Sequence, residues 1–354
     1  MPVVLPGSTI LVTGANGYIA AWIVRTLLEK GYNVRGTVRS KEKGIRMQEI
    51  FEKYGDKFGY VLVPDITKEG AFDDAVKCVD AIAHTASPVN FSTVDPQDLI
   101  QPAVRGIKSI LRSATQKGSN VQRIVFTSST AAVLEVDPKP RIFSEDDWNT
   151  QSVAWVERDG KDAHPITKYR ASKTLAEQAA WKFVEENKAM IKWDLVVLNP
   201  PFVFGPITHD VPTLSALGLS AGMFHSIVVG HSDAGGKTPQ ELRSTGNCWI
   251  DVRDLAEGEV LAFRKEEVAN QRVIICAGAF VWQEWLDVAN SIAPDHLPSH
   301  SNLPKGVPIS SSDPEIVYQI QYDTSKADRL LGIKYRTKEE LIKDTFADYE
   351  ARGW

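Results

Sequence analysis

The stretch Thr13-Gly14-Ala15-Asn16-Gly17-Tyr18-Ile19-Ala20 constrains this chain more than any other. A short β-rich run, Thr9-Ile10-Leu11-Val12, precedes it. A segment from Ile19 to Lys30 follows, with apolar residues Ile19, Ile23, Leu27 and Leu28 at helical spacing and Gly31 as its stop. Strand, glycine turn and helix in that order need a tight reversal. One glycine permits the turn, another lets backbone approach a diphosphate, and the small Ala20 lets the helix lie close to the strand. The positive helix N-terminus would receive the diphosphate. A purely structural strand–helix turn would look the same over these residues, so the rest of the chain has to separate the two.

The alternation continues for about 200 residues. Strands are expected at Asn33–Val38, Tyr60–Val63, Ala81–His84, Gln122–Thr127 and Trp193–Asn199. Helices are expected over Lys41–Tyr54 and Pro96–Gln116, the latter opened by Asp95. Arg123-Ile124-Val125-Phe126 and Asp194-Leu195-Val196-Val197-Leu198 are apolar on both faces, which marks a parallel sheet covered on both sides. The fold class is therefore α/β, a doubly wound parallel sheet of Rossmann type, with ligands beyond the carboxyl ends of its strands. Residues 1–205 read as the dinucleotide-binding domain, with a returning segment near 245–275. Residues 206–354 read as a smaller, mainly helical substrate-binding part. Its strands fall at Cys248–Ile250 and Val273–Ile275, and its helices at Asp254–Lys265, Gln283–Ile292, Thr324–Leu331 and Thr337–Ala351.

The second strand selects the cofactor. A site for NAD wants an acid about 20 residues beyond the glycine turn to hold a ribose hydroxyl. Here the chain reads Gly36-Thr37-Val38-Arg39-Ser40-Lys41-Glu42-Lys43, with no acid at the strand end. Arg39 can fork onto a 2′-phosphate and Lys43 can add a point charge, so NADPH/NADP is expected. Asp65, with Ile66 beside it, follows the third strand where an acid can meet the adenine amino group. Thr85, Ala86 and Ser87 follow the fourth strand and should pass under the cofactor. His84 reads as a packed histidine, not a catalyst.

Tyr169-Arg170-Ala171-Ser172-Lys173 carries the chemistry. Residues four apart share a helix face, so phenol and ammonium meet. A fixed cation favours phenolate, and a phenol so tuned can donate a proton to a carbonyl. The spacing alone is weak, because Tyr322-Asp323-Thr324-Ser325-Lys326 repeats it. Tyr169 is favoured by its company, the glycine turn and Thr127-Ser128-Ser129-Thr130 at the end of the fifth strand. A hydroxyl there can stabilise developing oxyanion charge.

The balance of 40 Lys and Arg against 45 Asp and Glu, without a block of like charge, argues against nucleic acid or a membrane surface as partner. The apolar N-terminus runs straight into the glycine motif and has no basic leader, so it reads as the lead into a strand. No stretch approaches the length of a membrane helix. The three cysteines, Cys78, Cys248 and Cys276, have no metal or redox spacing, and the seven histidines form no metal cluster. Reduced thiols, a cytoplasmic location and no metal are expected.

The segments Val12–Gly17, Arg35–Ser40, Val125–Ser129, Tyr169–Trp181 and Asn199–Pro206 together resemble the extended short-chain dehydrogenase/reductase family. Within it, the chain is similar to the dihydroflavonol reductase-like group, which includes fungal and yeast carbonyl, aldehyde and methylglyoxal reductases. The resemblance implies Ser129 as the catalytic serine, Tyr169 as the proton donor, and Lys173 as the residue that holds the nicotinamide ribose and tunes Tyr169. It implies that Pro200 to Val203 hold the nicotinamide ring. The family's hydride passes from the nicotinamide to a carbonyl carbon. Gly14, Asn16, Gly17, Tyr18, Ile19 and Thr127 complete the expected cofactor contacts.

The expected activity is NADPH-dependent reduction of aldehydes and ketones, ketoesters included. A dihydroflavonol- or cinnamoyl-type reductase and an NADP-sensing regulator are the alternatives. A small carbonyl compound is the expected partner, bound by a monomer or homodimer. For its pocket we expect Val89, Phe91, Thr130, Phe202, Met223 and Phe224, apolar residues on loops that can exclude water. Met223 and Phe224 would equally serve as helix core.

Overall fold

A computed structural model describes residues 3–87, 91–230, 233–300, 302–309 and 316–354. Its strands are β1 (Thr9–Thr13), β2 (Asn33–Val38), β3 (Phe58–Leu62), β4 (Ala81–His84), β5 (Arg123–Thr127), β6 (Arg141–Phe143), β7 (Asp194–Asn199), β8 (Phe202–Phe204), β9 (Gly246–Asp251), β10 (Arg272–Ile274), β11 (Gly278–Val281) and β12 (Ile320–Tyr322). The α-helices are α1 (Tyr18–Glu29), α2 (Lys41–Ile50), α3 (Gln97–Lys117), α4 (Thr150–Asp159), α5 (Pro165–Asn187), α6 (Leu219–Phe224), α7 (Pro239–Ser244), α8 (Val252–Arg264), α9 (Trp282–His296), α10 (Ser325–Leu330) and α11 (Lys338–Arg352).

Seven strands form one parallel sheet in the order β10-β7-β5-β4-β1-β2-β3. The order reverses between β1 and β4, which makes a crevice at their carboxyl ends. Alternate residues of each strand serve opposite faces. Ile10, Val12, Val125 and Val196 join the core under α1 and α8, while Leu11, Ile82, Ile124 and Val197 join the core under α3 and α5. That two-sided burial is why these strands read as continuous apolar runs.

Two glycines bring the sheet and its first turn together. Gly14 has φ +64°, in the left-handed region, and a Cβ there would meet Ala86 at 3.3 Å. A Cβ on Gly36 would lie 2.7 Å from the Ala15 Cβ, so β2 can pass the turn only as glycine.

The second helix is shorter than its pattern suggested. It ends at Ile50, and a 3-10 turn at Glu52–Lys57 follows, in which Gly55 at φ +55° swings the chain into β3. The two late strands part company. β10 extends the main sheet beside β7, whereas β9 sits between β8 and β11 in a separate three-stranded sheet. This small sheet and the helices α6, α9 and α11 enclose an aromatic core of Phe204, Phe224, Trp249, Phe280, Trp285 and Phe346. Tyr322 and Lys326 lie on β12 and α10, so they do not share a helix face.

Candidate active site

The helix α5 carries Tyr169, Lys173 and Glu177 at four-residue intervals, hence on one face. Pro165 opens it, and the His164 ring accepts from the Ile166 N–H. This face looks onto the end of β5. There Ser128 and Ser129 diverge, as neighbours in extended chain must. Ser128 Oγ donates to buried Glu177 Oε2 at 2.6 Å. Ser129 instead lines a cavity together with Thr130, Tyr169 and Phe202. Its Oγ accepts from the Ala131 N–H at 3.1 Å.

Burial raises the Tyr169 pKa above its ordinary 10.0, and the nearby Ser129 hydroxyl offsets only part of that. Burial also lowers Lys173 to about 8, against the pull of Glu177. The Lys173 ammonium is 5.9 Å from the Tyr169 ring centre. The sequence suggested that this cation would set a low phenol pKa. In the folded chain desolvation outweighs it, so Tyr169 holds its proton. That is the form an acid needs.

Glu177 anchors the floor of the site. It is fully buried and accepts from Ser128, from Asn199 Nδ2 at 2.7 Å and from Arg272 Nε at 2.5 Å. Asn199 also donates to the Ser129 carbonyl at 3.0 Å. Arg272 lies 3.8 Å over the Trp148 ring and donates to the carbonyls of Glu145, Asp147 and Ala132. Three strand ends, β5, β7 and β10, are thereby tied to the helix that bears Tyr169.

A second cavity lies across the switch point. Gly14, Asn16, Gly17, Arg39 and Lys43 line it, and so do Ile66, Thr85, Ala86 and Ser87. Gly17 caps α1 without a side-chain hydrogen bond, so the first N–H groups of the helix are left for an anion. The adjoining loop is held by Thr13, whose Oγ1 accepts from the N–H groups of Thr85 and Ala86. Its own proton must therefore go to His84 Nδ1, 2.9 Å away, which requires a neutral ring. Burial agrees, pushing His84 down to about 3, with Lys173 adding to the effect. His84 is structural. The cleft fits an NADP-type dinucleotide: the glycine turn leaves room, the helix end takes the diphosphate, and Arg39 and Lys43 supply positive charge.

Several expected residues lie outside both cavity linings. The Tyr18 hydroxyl donates to the Gly205 carbonyl, and Ile19 packs against the core beneath α1. Asp65 accepts from the Thr67 hydroxyl and N–H, which hold its carboxyl below the usual range with smaller help from Lys68 and Arg39. The Thr127 hydroxyl is turned to Glu259, at 2.5 Å. Pro200 contributes its carbonyl to the Thr130 N–H, and Val203 is buried in β8.

Around the cavity beside Tyr169, Thr130 and Phe202 are in the lining, and the Phe91 ring centre is 5.3 Å from that of Tyr169. Val89 falls outside the described residues. Phe224 is a correction. It is 1% exposed and packs on Phe204 and Trp285, because the faces of α6 turn it inward. Met223 packs beside the same core. The cavity is lined instead by Leu219 and Ser220 from the start of α6, with Leu134, Ile166, Arg170 and Asn247. No sequence signal marked those positions. They come from four separated segments.

Among the described residues, no group of His, Cys, Asp and Glu could hold a metal ion, and no helix is long and apolar enough to cross a membrane. The three cysteines are free thiols, two of them buried.

A parallel sheet with a glycine turn at its switch point, and Ser, Tyr and Lys gathered beside it, defines a nucleotide-dependent oxidoreductase or epimerase scaffold. The family model for the NAD dependent epimerase/dehydratase family matches residues 10–277, and the chain belongs to that family. Its relatives include the NADPH-dependent methylglyoxal reductase of Saccharomyces cerevisiae, 36% identical over 346 residues, covering 95% of this chain and 96% of the relative. A ketoreductase of Aspergillus niger is also 36% identical, over 340 residues, with 95% of each chain covered. A crystal structure of a yeast methylglyoxal/isovaleraldehyde reductase complexed with NADPH superposes with a TM-score of 0.81 at 33% identity, over 98% of this chain and 99% of that one.

Proposed function

We propose that this chain is an NADPH-dependent reductase of aldehydes and ketones. The observation that carries this is the meeting of Ser129 and a protonated, half-buried Tyr169 on one cavity wall, with the buried Lys173 behind them. The cleft lined by Arg39 and Lys43 supports NADPH over NADH, as do the names of the relatives. NADPH bound in that cleft supplies the hydride for the carbonyl carbon.

The residues of the chain do the rest. Ser129 holds the carbonyl oxygen by donating a hydrogen bond, which strengthens as negative charge develops. Tyr169 gives its proton to that oxygen, and the Lys173 ammonium stabilises the phenolate left behind. Leu134, Ile166, Leu219 and Phe202 keep the reacting carbonyl among apolar groups. NADPH oxidation with a panel of aldehydes and ketones tests the reading. Tyr169→Phe should lower turnover about 10²- to 10⁴-fold while NADPH still binds. A fully active Tyr169→Phe enzyme rules the mechanism out.

A further inference from the structure

The substrate cavity contains one charged side chain, and no described part of the protein neutralises it. Arg170 follows Tyr169 on α5 and lines the cavity with Ser129 and Thr130. Burying a guanidinium is costly unless it is paired, and most buried arginines are. Arg170 is half-buried, and three other arginines of low exposure obey that rule: Arg123 is bonded to Asp194, Arg253 to Asp251, and Arg272 to Glu177. Among the described residues, Arg170 has no acidic partner, and burial pushes its pKa down against a small opposing effect of the Tyr322 phenol.

A second donor without a partner lies nearby. Tyr322 stands on β12, is 9% exposed, and acts electrostatically on Arg170. Its hydroxyl lies close to Thr130, yet it has no hydrogen-bond partner of good geometry. A buried hydroxyl without a partner is rare in a settled core. Tyr322 is not part of the cavity lining, so of these two donors Arg170 is the one that a bound molecule can reach.

We propose that the substrate of this enzyme carries a carboxylate in addition to its carbonyl, and that Arg170 binds it. The proposal rests on the carbonyl-reductase reading and deepens it. The planar fork of arginine matches a carboxylate. A phosphate dianion would call for further positive charge, and the rest of the lining is uncharged. The carbonyl end lies at Tyr169 and Ser129. The carboxylate end lies one helix position on, so the substrate is an oxo acid, with its spacer against Ile166 and Leu219.

The test compares a chain-length series of ω-oxo acids with their methyl esters and with ω-oxo alkyl phosphates, by NADPH oxidation. At least one acid should exceed its ester and its phosphate counterpart in kcat/KM. Arg170→Gln should reduce that acid-to-ester ratio about 10- to 100-fold, the usual worth of a hydrogen-bonded charge. Arg170→Lys should restore part of it. In the wild type, short monocarboxylates without a carbonyl should inhibit ester reduction competitively, a measurement that needs no variant to fold. Esters turned over as well as acids throughout, or no inhibition by monocarboxylates, would overturn the proposal and leave the reductase reading standing. A phosphate preferred over every acid would also overturn it. Failure of every carbonyl compound, neutral ones included, would remove the reductase reading and this proposal together.

Discussion

Replacing Glu177 by Gln keeps the side-chain volume and removes one charge from the buried floor of the site. Its partner Arg272 is 8% exposed and cannot turn to water. A buried charge left without its counter-ion costs about 3–5 kcal/mol. The three carbonyls of Glu145, Asp147 and Ala132 still accept from Arg272, which places the expected loss near the lower end, about 3 kcal/mol. Urea unfolding followed by fluorescence, at constant slope, reads this directly. Arg272→Met orphans the same carbonyls and leaves Glu177 with Ser128 and Asn199 only. The two losses should therefore overlap, and the double variant should be more stable than their sum by about 1–3 kcal/mol. Activity adds a second readout. Glu177 holds the Lys173 pKa up against burial, and without it that pKa falls from about 8. Since Lys173 must be charged to stabilise the phenolate, the alkaline fall in kcat should move to lower pH. Additivity within about 0.5 kcal/mol, together with an unmoved pH profile, would refute the role given to Glu177.

Ser129→Ala should lower turnover about 10²- to 10³-fold with little change in stability. Ser128→Ala should do the reverse, losing about 1.5–3 kcal/mol in urea unfolding because its hydroxyl serves the Glu177 carboxylate. Arg39→Ala should cut the preference for NADPH over NADH about 10- to 100-fold in steady-state kinetics; equal efficiency of the two cofactors in the wild type would sink the assignment. Burial raises Glu259 from 4.5 to about 8, and the bond from Thr127 only partly offsets it. The folded state then holds a proton that the unfolded chain has released between those values, so stability falls as pH rises from 4.5 through about 8. Glu259→Gln lacks that proton, and its stability relative to the wild type should improve between about pH 5 and about pH 9 in urea unfolding.

The local patterns of the sequence sufficed for the main sheet. Val12 and Leu11 face opposite layers because strands alternate, and Gly14 is glycine because its φ is positive. The Tyr169/Lys173 face, the absence of an acid after β2 and the serine pair at the end of β5 were likewise readable, since each depends on spacing within one element. Even there the sequence predicted the wrong direction for the Tyr169 pKa, because desolvation is a property of the assembled core. It left the choice between Ser128 and Ser129 to family resemblance, whereas the structure separates them by which one meets Glu177. Phe224 read equally as a pocket residue or as helix core, and the aromatic core claimed it. Tyr322 looked like a repeat of the Tyr–Lys spacing, and the fold instead places it on β12 against Phe143, sharing no helix face with Lys326. The Glu177–Arg272 pair joins residues 95 positions apart. Period and spacing report what a single strand or helix presents, and they fix the scaffold. Which charges meet, and which are left alone, depends on contacts between distant elements, and only the tertiary structure decides those.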